Sequence, residues 1–342
     1  MRRWAEHFSK LDEVMVVSDS RDEVPGVRFE PIFAVDSRLS KLRRLFWLRR
    51  LVKEFKPDVV HGHYLTVGGF YASLSGGKRI VGSAWGSDVY HDPERSFTNR
   101  MILRFALRRC DLVFAGSKDA AEAVHKFGYE GEVPIVRFGV DPEKFKRTSR
   151  HGTDEFRILS PRHCSSIYNP LVIIDAFKKM LPRMANAYLY LVESGNQLAE
   201  VHERVETDPE LAKHVRFYSW KPYGEMPALY GAMDLAISIP NSDSVAASVI
   251  ESMACEVPVI VSDIPNMREL VEPGTTGYLT RIDIDSVADM MLKAYSVRKL
   301  LPEIGKRARA KVVDPATHVT WDSNMRVARD AYERLIKEIQ VR

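Results

Sequence analysis

Two successive series of short apolar runs, separated by amphipathic stretches, limit what this chain can become more than any other feature. In the first, "VMVVS" (14–18), "PDVVHGHY" (57–64), "RIVGSAWG" (79–86), "DLVFAGS" (111–117) and "VPIVRFG" (133–139) read as buried strands with helical patterns between most of them. The polar stretch "GVDPEKFKRTSRHGTDEF" (139–156) carries neither a helical nor a strand period. The rhythm then resumes with "RILSPR" (157–162), "AYLYLVESG" (187–195), "VRFYSW" (215–220), "DLAISIP" (234–240), "PVIVSD" (258–263) and "GYLT" (277–280). Strands buried on both faces and joined by helices form parallel sheets covered by helices. The expected fold is therefore α/β: two Rossmann-like doubly wound domains, residues 1–150 and 151–317. Facing sheets of this kind turn the carboxyl ends of their strands toward one cleft, where ligands bind.

Composition narrows the function classes. Lys plus Arg (50) nearly balance Asp plus Glu (46), which does not point to a general nucleic-acid binder and makes any basic function local. Cys110, Cys164 and Cys255 are odd in number and far apart, with no C-x-x-C pair, and read as reduced thiols of a cytosolic protein. "MRRWAEHFSKLDEV" lacks a signal-peptide core, and no apolar run reaches the roughly 18 residues of a membrane span. A cytoplasmic chain, with contact at the inner membrane face left open, is the expectation.

"SDSVAASVIESMA" (242–254) carries the chemistry. Asp243 follows the strand "DLAISIP" on a loop at its carboxyl end, and Glu251 falls early on the helix "ASVIESMACE". The small residues Ala246, Ala247 and Ser248 let a ligand approach backbone amides at a helix N-terminus, a natural phosphate site. A carboxylate such as Glu251 suits a vicinal diol like that of ribose. The competing reading is an acidic cap and a solvated helix Glu.

The stretch "SDSVAASVIESMACEVPVIVSDIPNMRELVEPGTTGYL" resembles the signature of retaining glycosyltransferases of the GT-B fold, the glycogen-synthase-like group 1, family 4. "KPDVVHGHY", "WGSDVY", "VRFGVDPEKF", "PRHCSSIYNPLVIIDAF", "LVESGN" and "EMPALYGAMDLAISIP" have counterparts there in the same order. The resemblance implies transfer of a hexose from a nucleotide diphosphate sugar to a sugar or lipid-linked acceptor, with retention and without a metal or cofactor. By the same resemblance Glu251 binds the ribose, Asp243 contacts the transferred sugar, and Arg162 places a fixed positive charge on the leaving diphosphate. Ser244, Val245, Ala246, Ala247 and Ser248 then meet the phosphates and sugar, with Asn169 and Gly195 on the donor side and His63, Trp85, Gly86, Ser87 and Asp88 on the acceptor or sugar side.

This chain departs from the pattern at several places. Asp243 stands for a Glu, Asn169-Pro170 for a Lys-Gly, Trp85 for a His and Glu256 for a Gly. At the front, "MRRWAEHFSKLDEVMVVS" matches only the helix and second strand that follow the group's first strand and Gly-rich loop, so the amino-terminal domain is expected to lack that central strand. A catalytically impaired nucleotide-sugar-binding pseudo-glycosyltransferase or partner subunit is the alternative reading.

His61 and His63 have H-x-H spacing but no companion ligands, so a cleft wall is read there rather than a metal, and His163 and Cys164 beside Arg162 are read as lining. "RLSKLRRLFWLRRLVKEFK" (38–56) holds eight cations against one Glu. Its spacing puts Leu42, Leu45, Leu48, Val52 and Phe55 on the sheet and Arg43, Trp47, Arg50 and Glu54 on the opposite face, an arrangement suited to an anionic membrane. "NRMILRFALRRCD" (99–111) extends the basic surface.

Overall fold

The computed structural model describes residues 2–19, 24–32, 38–148, 152–219, 221–244 and 246–340. Eleven strands are described: β1 Met15–Ser18, β2 Arg28–Pro31, β3 Val60–His63, β4 Ile80–Ala84, β5 Leu112–Ala115, β6 Phe156–His163, β7 Ala187–Val192, β8 Val215–Tyr218, β9 Leu235–Ser238, β10 Val259–Ser262 and β11 Gly277–Thr280. Every paired strand runs parallel to its neighbour.

The carboxyl-terminal sheet has the order β11-β10-β9-β6-β7-β8. Its strands are apolar throughout because both faces are covered. Successive residues point to opposite sides, so Ile158 and Ile260 join helices Pro170–Met180 and Ile284–Ser296, while Leu159, Val259 and Val261 join helices Ala247–Ala254 and Leu301–Val313. The winding reverses between β6 and β9. Loops leaving the carboxyl ends of those two strands diverge there and open a crevice. Those loops carry Asn169 and Asp243, and Arg162 lies at the carboxyl end of β6 itself.

The amino-terminal strands form two separate sheets, β1-β2 and β3-β4-β5. One face of the three-stranded sheet packs Leu65, Leu103, Leu107 and Val113. On the other, Val81, Leu112 and Phe114 meet Trp4 and Phe8 of helix Arg2–Phe8, and Met325, Ala328, Ala331 and Leu335 of helix Trp321–Gln340. The last helix thus returns to the amino-terminal half.

Three expectations from sequence need correction. "VPIVRFG" is not a strand: it makes an isolated bridge between Ala115 and Ile135, and Pro134 has no N–H to donate to a ladder. β2, "RFEP", is a strand that its polar composition conceals. On helix Arg38–Phe55 two positions depart from the expected faces: Leu42 is 54% exposed and Trp47 is half-buried, while Leu45, Leu48, Val52 and Phe55 are turned inward and Arg43, Arg50 and Glu54 are exposed as expected; Phe46 is 65% exposed. Leu42, Phe46, Arg49, Arg50 and Lys53 recur at helical spacing and form the outer stripe with Arg43.

Candidate functional site

Both loops at the crevice enter their helices through a left-handed residue. Asn169 (φ 53°) heads helix Pro170–Met180, and Ala246 (φ 40°) heads helix Ala247–Ala254. A non-glycine residue in this region stores about 1–2 kcal/mol. The surrounding bonds hold it there. The Asn169 side-chain amide donates to the Ile239 carbonyl at 2.8 Å and to Asn241 Oδ1 at 3.0 Å, tying the β6 loop to the β9 loop. Asn169 therefore shapes the crevice and spends its donors there.

Arg162 and Asp243, 81 residues apart, meet in the crevice: Nη2 donates to Asp243 Oδ2 at 2.8 Å, with side chains only 15% and 8% exposed. Arg162 also donates to Ser248 Oγ at 3.3 Å, and its guanidinium lies over the Tyr168 ring at 4.2 Å. Burial works against the charge on Arg162, but Asp243 first, and then Tyr168, outweigh it and keep its pKa above the usual value. The second oxygen of Asp243 accepts the Ala246 amide at 3.0 Å. Ser248 sits in the first turn of helix Ala247–Ala254, with Ser244 buried just before it. Val245 lies outside the described residues.

Glu251 stands one turn further along this helix. The Tyr230 hydroxyl donates to its Oε2 at 2.9 Å. Burial pushes the Glu251 carboxyl up to about 7, against the pull of Tyr230, Arg3 and Arg162. Arg3 comes from the opposite half of the protein: its guanidinium lies over Tyr223 at 4.5 Å and Trp321 at 4.0 Å, and it donates to the Gly139 carbonyl at 3.2 Å. Gly195 (φ 126°) has a backbone reason for being glycine, since a Cβ there would lie 2.2 Å from the Cys164 carbonyl oxygen. His163 is exposed and bonded to Ser194, while Cys164 is buried, so neither forms a nucleophilic pair.

The two halves touch at the mouth of the crevice. His91 Nε2 and Ser242 Oγ are hydrogen-bonded at 2.7 Å, and a Cβ on Gly86 would come within 3.0 Å of Ser244 Cβ. Glu269 accepts the Lys118 amide at 3.2 Å and pairs with Arg137. Between these ties lies a cavity of about 410 Å³, lined among others by Tyr90, His91, Glu94, Asp119, Asp243 and Asn266. Asn266 is 1% exposed, and neither Nδ2 nor Oδ1 has a hydrogen-bond partner among the described residues.

The sequence-derived acceptor residues do not line that cavity. His63 and Trp85 are packed edge to face at 5.9 Å in an aromatic cluster closed by Trp4, which leaves only about 10 Å³ of free space. That is about one probe sphere, too little for a sugar. His61 stacks on His63 at 4.0 Å and is held by Tyr332 at 2.6 Å and Ser83 at 2.8 Å; burial lowers His61 to about 3 and His63 well below its usual value, so both rings are neutral. Asp88 is fully buried and accepts the Leu65, Trp85 and Gly86 amides at 2.7–2.9 Å, which organises the loop rather than a substrate. Gly86 supplies the close domain approach, and Ser87 opens the short helix Ser87–Tyr90. Arg43 and Arg50 are exposed on helix Arg38–Phe55, and Trp47 is half-buried. Among the described residues no group of three or more His, Cys, Asp or Glu is arranged to hold a metal ion. Arg3, Tyr168, Tyr230 and Asn266 were not singled out from sequence; three of them sit within the matched segments "PRHCSSIYNPLVIIDAF", "EMPALYGAMDLAISIP" and "SDIPNMRELV".

Comparison with known proteins places this geometry. The chain is 25% identical over 275 residues to N-acetyl-alpha-D-glucosaminyl L-malate synthase of Bacillus anthracis, covering 75% of this chain and 70% of that protein. Sucrose-phosphate synthase of Thermosynechococcus elongatus superimposes with a TM-score of 0.82 at 16% identity, over 98% of this chain and 92% of that one. HepE of Anabaena in complex with UDP-glucose superimposes with a TM-score of 0.76 at 18% identity, over 96% and 93%. These likenesses fix the GT-B fold. The family model for glycosyltransferase family 4 matches residues 1–144. That for glycosyl transferases group 1 matches residues 141–311, half of the chain, and the protein is a member of the group 1 glycosyltransferases.

Proposed function

We propose that the protein transfers a hexose from a nucleotide diphosphate sugar to an acceptor hydroxyl with retention of configuration. The observation that carries this reading is the convergence of Arg162, Asp243 and Ser248 at the N-terminus of helix Ala247–Ala254, with Glu251 one turn along. Arg162 and the helix N-terminus offer positive charge to a diphosphate, and charge grows on that group as the glycosidic bond breaks. Glu251 is a ribose acceptor in its ionised form. HepE, whose structure holds UDP-glucose, makes uridine donors the first to test.

The acceptor enters through the 410 Å³ cavity, which Asp243 shares with the donor side. A buried amide without partners costs about 1–3 kcal/mol, and a hydroxylated ligand reaching Asn266 recovers it. In the transfer, the anomeric carbon's bond to the diphosphate oxygen breaks as the acceptor oxygen bonds to the same face of that carbon. The acceptor's proton passes to the departing diphosphate. Retention in one displacement suits a site whose two carboxylates are both engaged, Asp243 by Arg162 and Ala246 and Glu251 by Tyr230. Catalysis is then positioning and electrostatics, with Arg162 supplying the charge and no metal or cofactor assigned. The test is donor hydrolysis or transfer by the wild type and its loss in Glu251→Ala. Donor binding without turnover in the presence of acceptor candidates favours the pseudo-enzyme instead.

A further inference from the structure

The described residues include nine exposed large hydrophobics, and six of them, Leu42, Phe46, Val67, Phe97, Met101 and Phe105, lie on one layer of helices over the β3-β4-β5 sheet. The layer is continuous. Helix Arg38–Phe55 packs on helix Phe70–Leu74 through Arg44, 5.4 Å over the Tyr71 ring, and through Arg49 Nε donating to the Leu74 carbonyl at 2.8 Å. Phe70 in turn meets Phe105 of helix Phe97–Arg109 at 5.9 Å.

On helix Phe97–Arg109 the inward side chains are Leu103, Ala106 and Leu107. Phe97, 77% exposed, and Met101 face out at helical spacing, with Arg100, Arg104 and Arg108 beside them. This helix has no acidic residue, and helix Arg38–Phe55 has only Glu54, which is paired with Arg50. Counting the sequence of both helices gives eleven cations and one anion, +10, so the rest of the chain carries −6 of the protein's +4. Charge and exposed apolar surface are thus concentrated on the same face.

We propose that this face, formed by helices Arg38–Phe55 and Phe97–Arg109, docks on an anionic lipid bilayer. Leu42, Phe46, Phe97 and Met101 enter the headgroup boundary while the arginines meet the lipid phosphates. The contact is peripheral: among the described residues no helix is long and apolar enough to cross a membrane. Two copies of the chain do not cover this face with each other, because two such faces repel. Nucleic acid would satisfy the arginines but gives Leu42 and Met101 nothing to bury against.

Docking here also points the crevice at the membrane. Glu94 lines the interdomain cavity, and helix Phe97–Arg109 starts three residues later. A groove of about 590 Å³, lined by Arg104 and Arg108, shares Lys126 and Phe127 with that cavity. An acceptor anchored in the bilayer therefore has a basic path from the lipid surface to Asp243 and Asn266. This consequence rests on the proposed sugar transfer; the docking does not.

Flotation of the full chain with vesicles tests the proposal, using phosphatidylcholine alone or with one third phosphatidylglycerol. The wild type should float with the anionic vesicles only, less so at high salt. Arg100→Glu/Arg104→Glu/Arg108→Glu should weaken partitioning about tenfold or more. Leu42→Ser/Phe46→Ser/Phe97→Ser/Met101→Ser should lose the salt-resistant fraction, and Lys213→Glu/Lys306→Glu, on the carboxyl-terminal half, should float like the wild type. Unchanged thermal midpoints establish that each variant is folded. A wild type that ignores anionic vesicles, variants that float normally, a loss in the lysine variant as large as in the arginine one, or tighter binding to duplex DNA than to vesicles would each overturn it. Donor-induced thermal shifts on the same samples separate the two claims: vesicle binding without donor binding leaves docking standing and refutes transfer, and the reverse refutes docking alone.

Discussion

The carboxylate of Asp243 is divided between two partners in its own chain, Arg162 Nη2 at 2.8 Å on one oxygen and the Ala246 amide at 3.0 Å on the other. An Asp is short enough to turn back onto both. The cation expected to meet the donor diphosphate is therefore already paired, and a bound diphosphate must compete with Asp243 for it. On the proposed reading, that competition would free an Asp243 oxygen toward the sugar.

Removing Arg162 separates these roles. Arg162→Ala should lower kcat/KM about 10²–10³-fold, as loss of a single donor to a developing oxyanion does. It should also destabilise the fold by ~3 kcal/mol, because Asp243 stays buried without its partner. Arg162→Ala/Asp243→Ala should recover much of the stability and none of the activity, read by urea unfolding and by sugar-transfer assays.

Glu251 predicts a pH dependence. Its ordinary value is 4.5 and its folded value about 7, so below 4.5 it is protonated in both states and contributes nothing. Between these values the unfolded chain ionises first, and the fold loses on the order of 3 kcal/mol as pH rises. Above about 7 the loss is complete. Glu251→Gln should flatten that part of the stability profile. Donor affinity should move the other way, tightening in the wild type as pH rises through about 7 and staying flat in Glu251→Gln, since the ionised carboxylate is the better acceptor for ribose hydroxyls.

Asn266→Ala should dissociate stability from activity. Its buried amide has no partner among the described residues, so truncation should leave the thermal midpoint unchanged or raise it. The acceptor KM should rise about tenfold, the effect of one lost hydrogen bond of about 1.4 kcal/mol. A large fall in stability would show that the amide has a structural role.

Arg3→Ala should loosen the contact between the two halves. The guanidinium is stacked between Tyr223 and Trp321 and bonded to Gly139, and such partly desolvated cation–π contacts are worth about 1–2 kcal/mol. Faster amide exchange in helix Arg2–Phe8 and in the 139–148 connection, relative to Arg2→Ala, is the readout.

The carboxyl-terminal strands were legible in the sequence because strands buried on both faces are uninterrupted apolar runs, as "DLAISIP" and "PVIVSD" are. β2 was not, since Arg28, Glu30 and Pro31 conceal it. Helix Arg38–Phe55 was legible as a helix and in most of its orientation, but not at Leu42 and Trp47, where packing on helix Phe70–Leu74 decides which side chains are covered. In the candidate site, the sequence singled out Arg162, Asp243 and Glu251, which the fold brings to one crevice, but not that the first two pair, because their contact spans 81 residues. His63 and Trp85 were read as cleft residues, and Trp4, from a distant helix, encloses them. Asn266 and Arg3 stand out only through what surrounds them, which a linear pattern does not encode.

Titration of UDP-, GDP- and ADP-sugars against thermal unfolding tests the central claim most directly. At 100 times its dissociation constant a cognate donor adds about 2.7 kcal/mol to the stability of the folded state. One donor class should raise the midpoint of the wild type, with the shift abolished in Arg162→Ala and Glu251→Ala and intact in Lys213→Glu. A midpoint indifferent to every nucleotide sugar, or a shift that survives loss of both Arg162 and Glu251, would contradict the donor site assigned to this crevice.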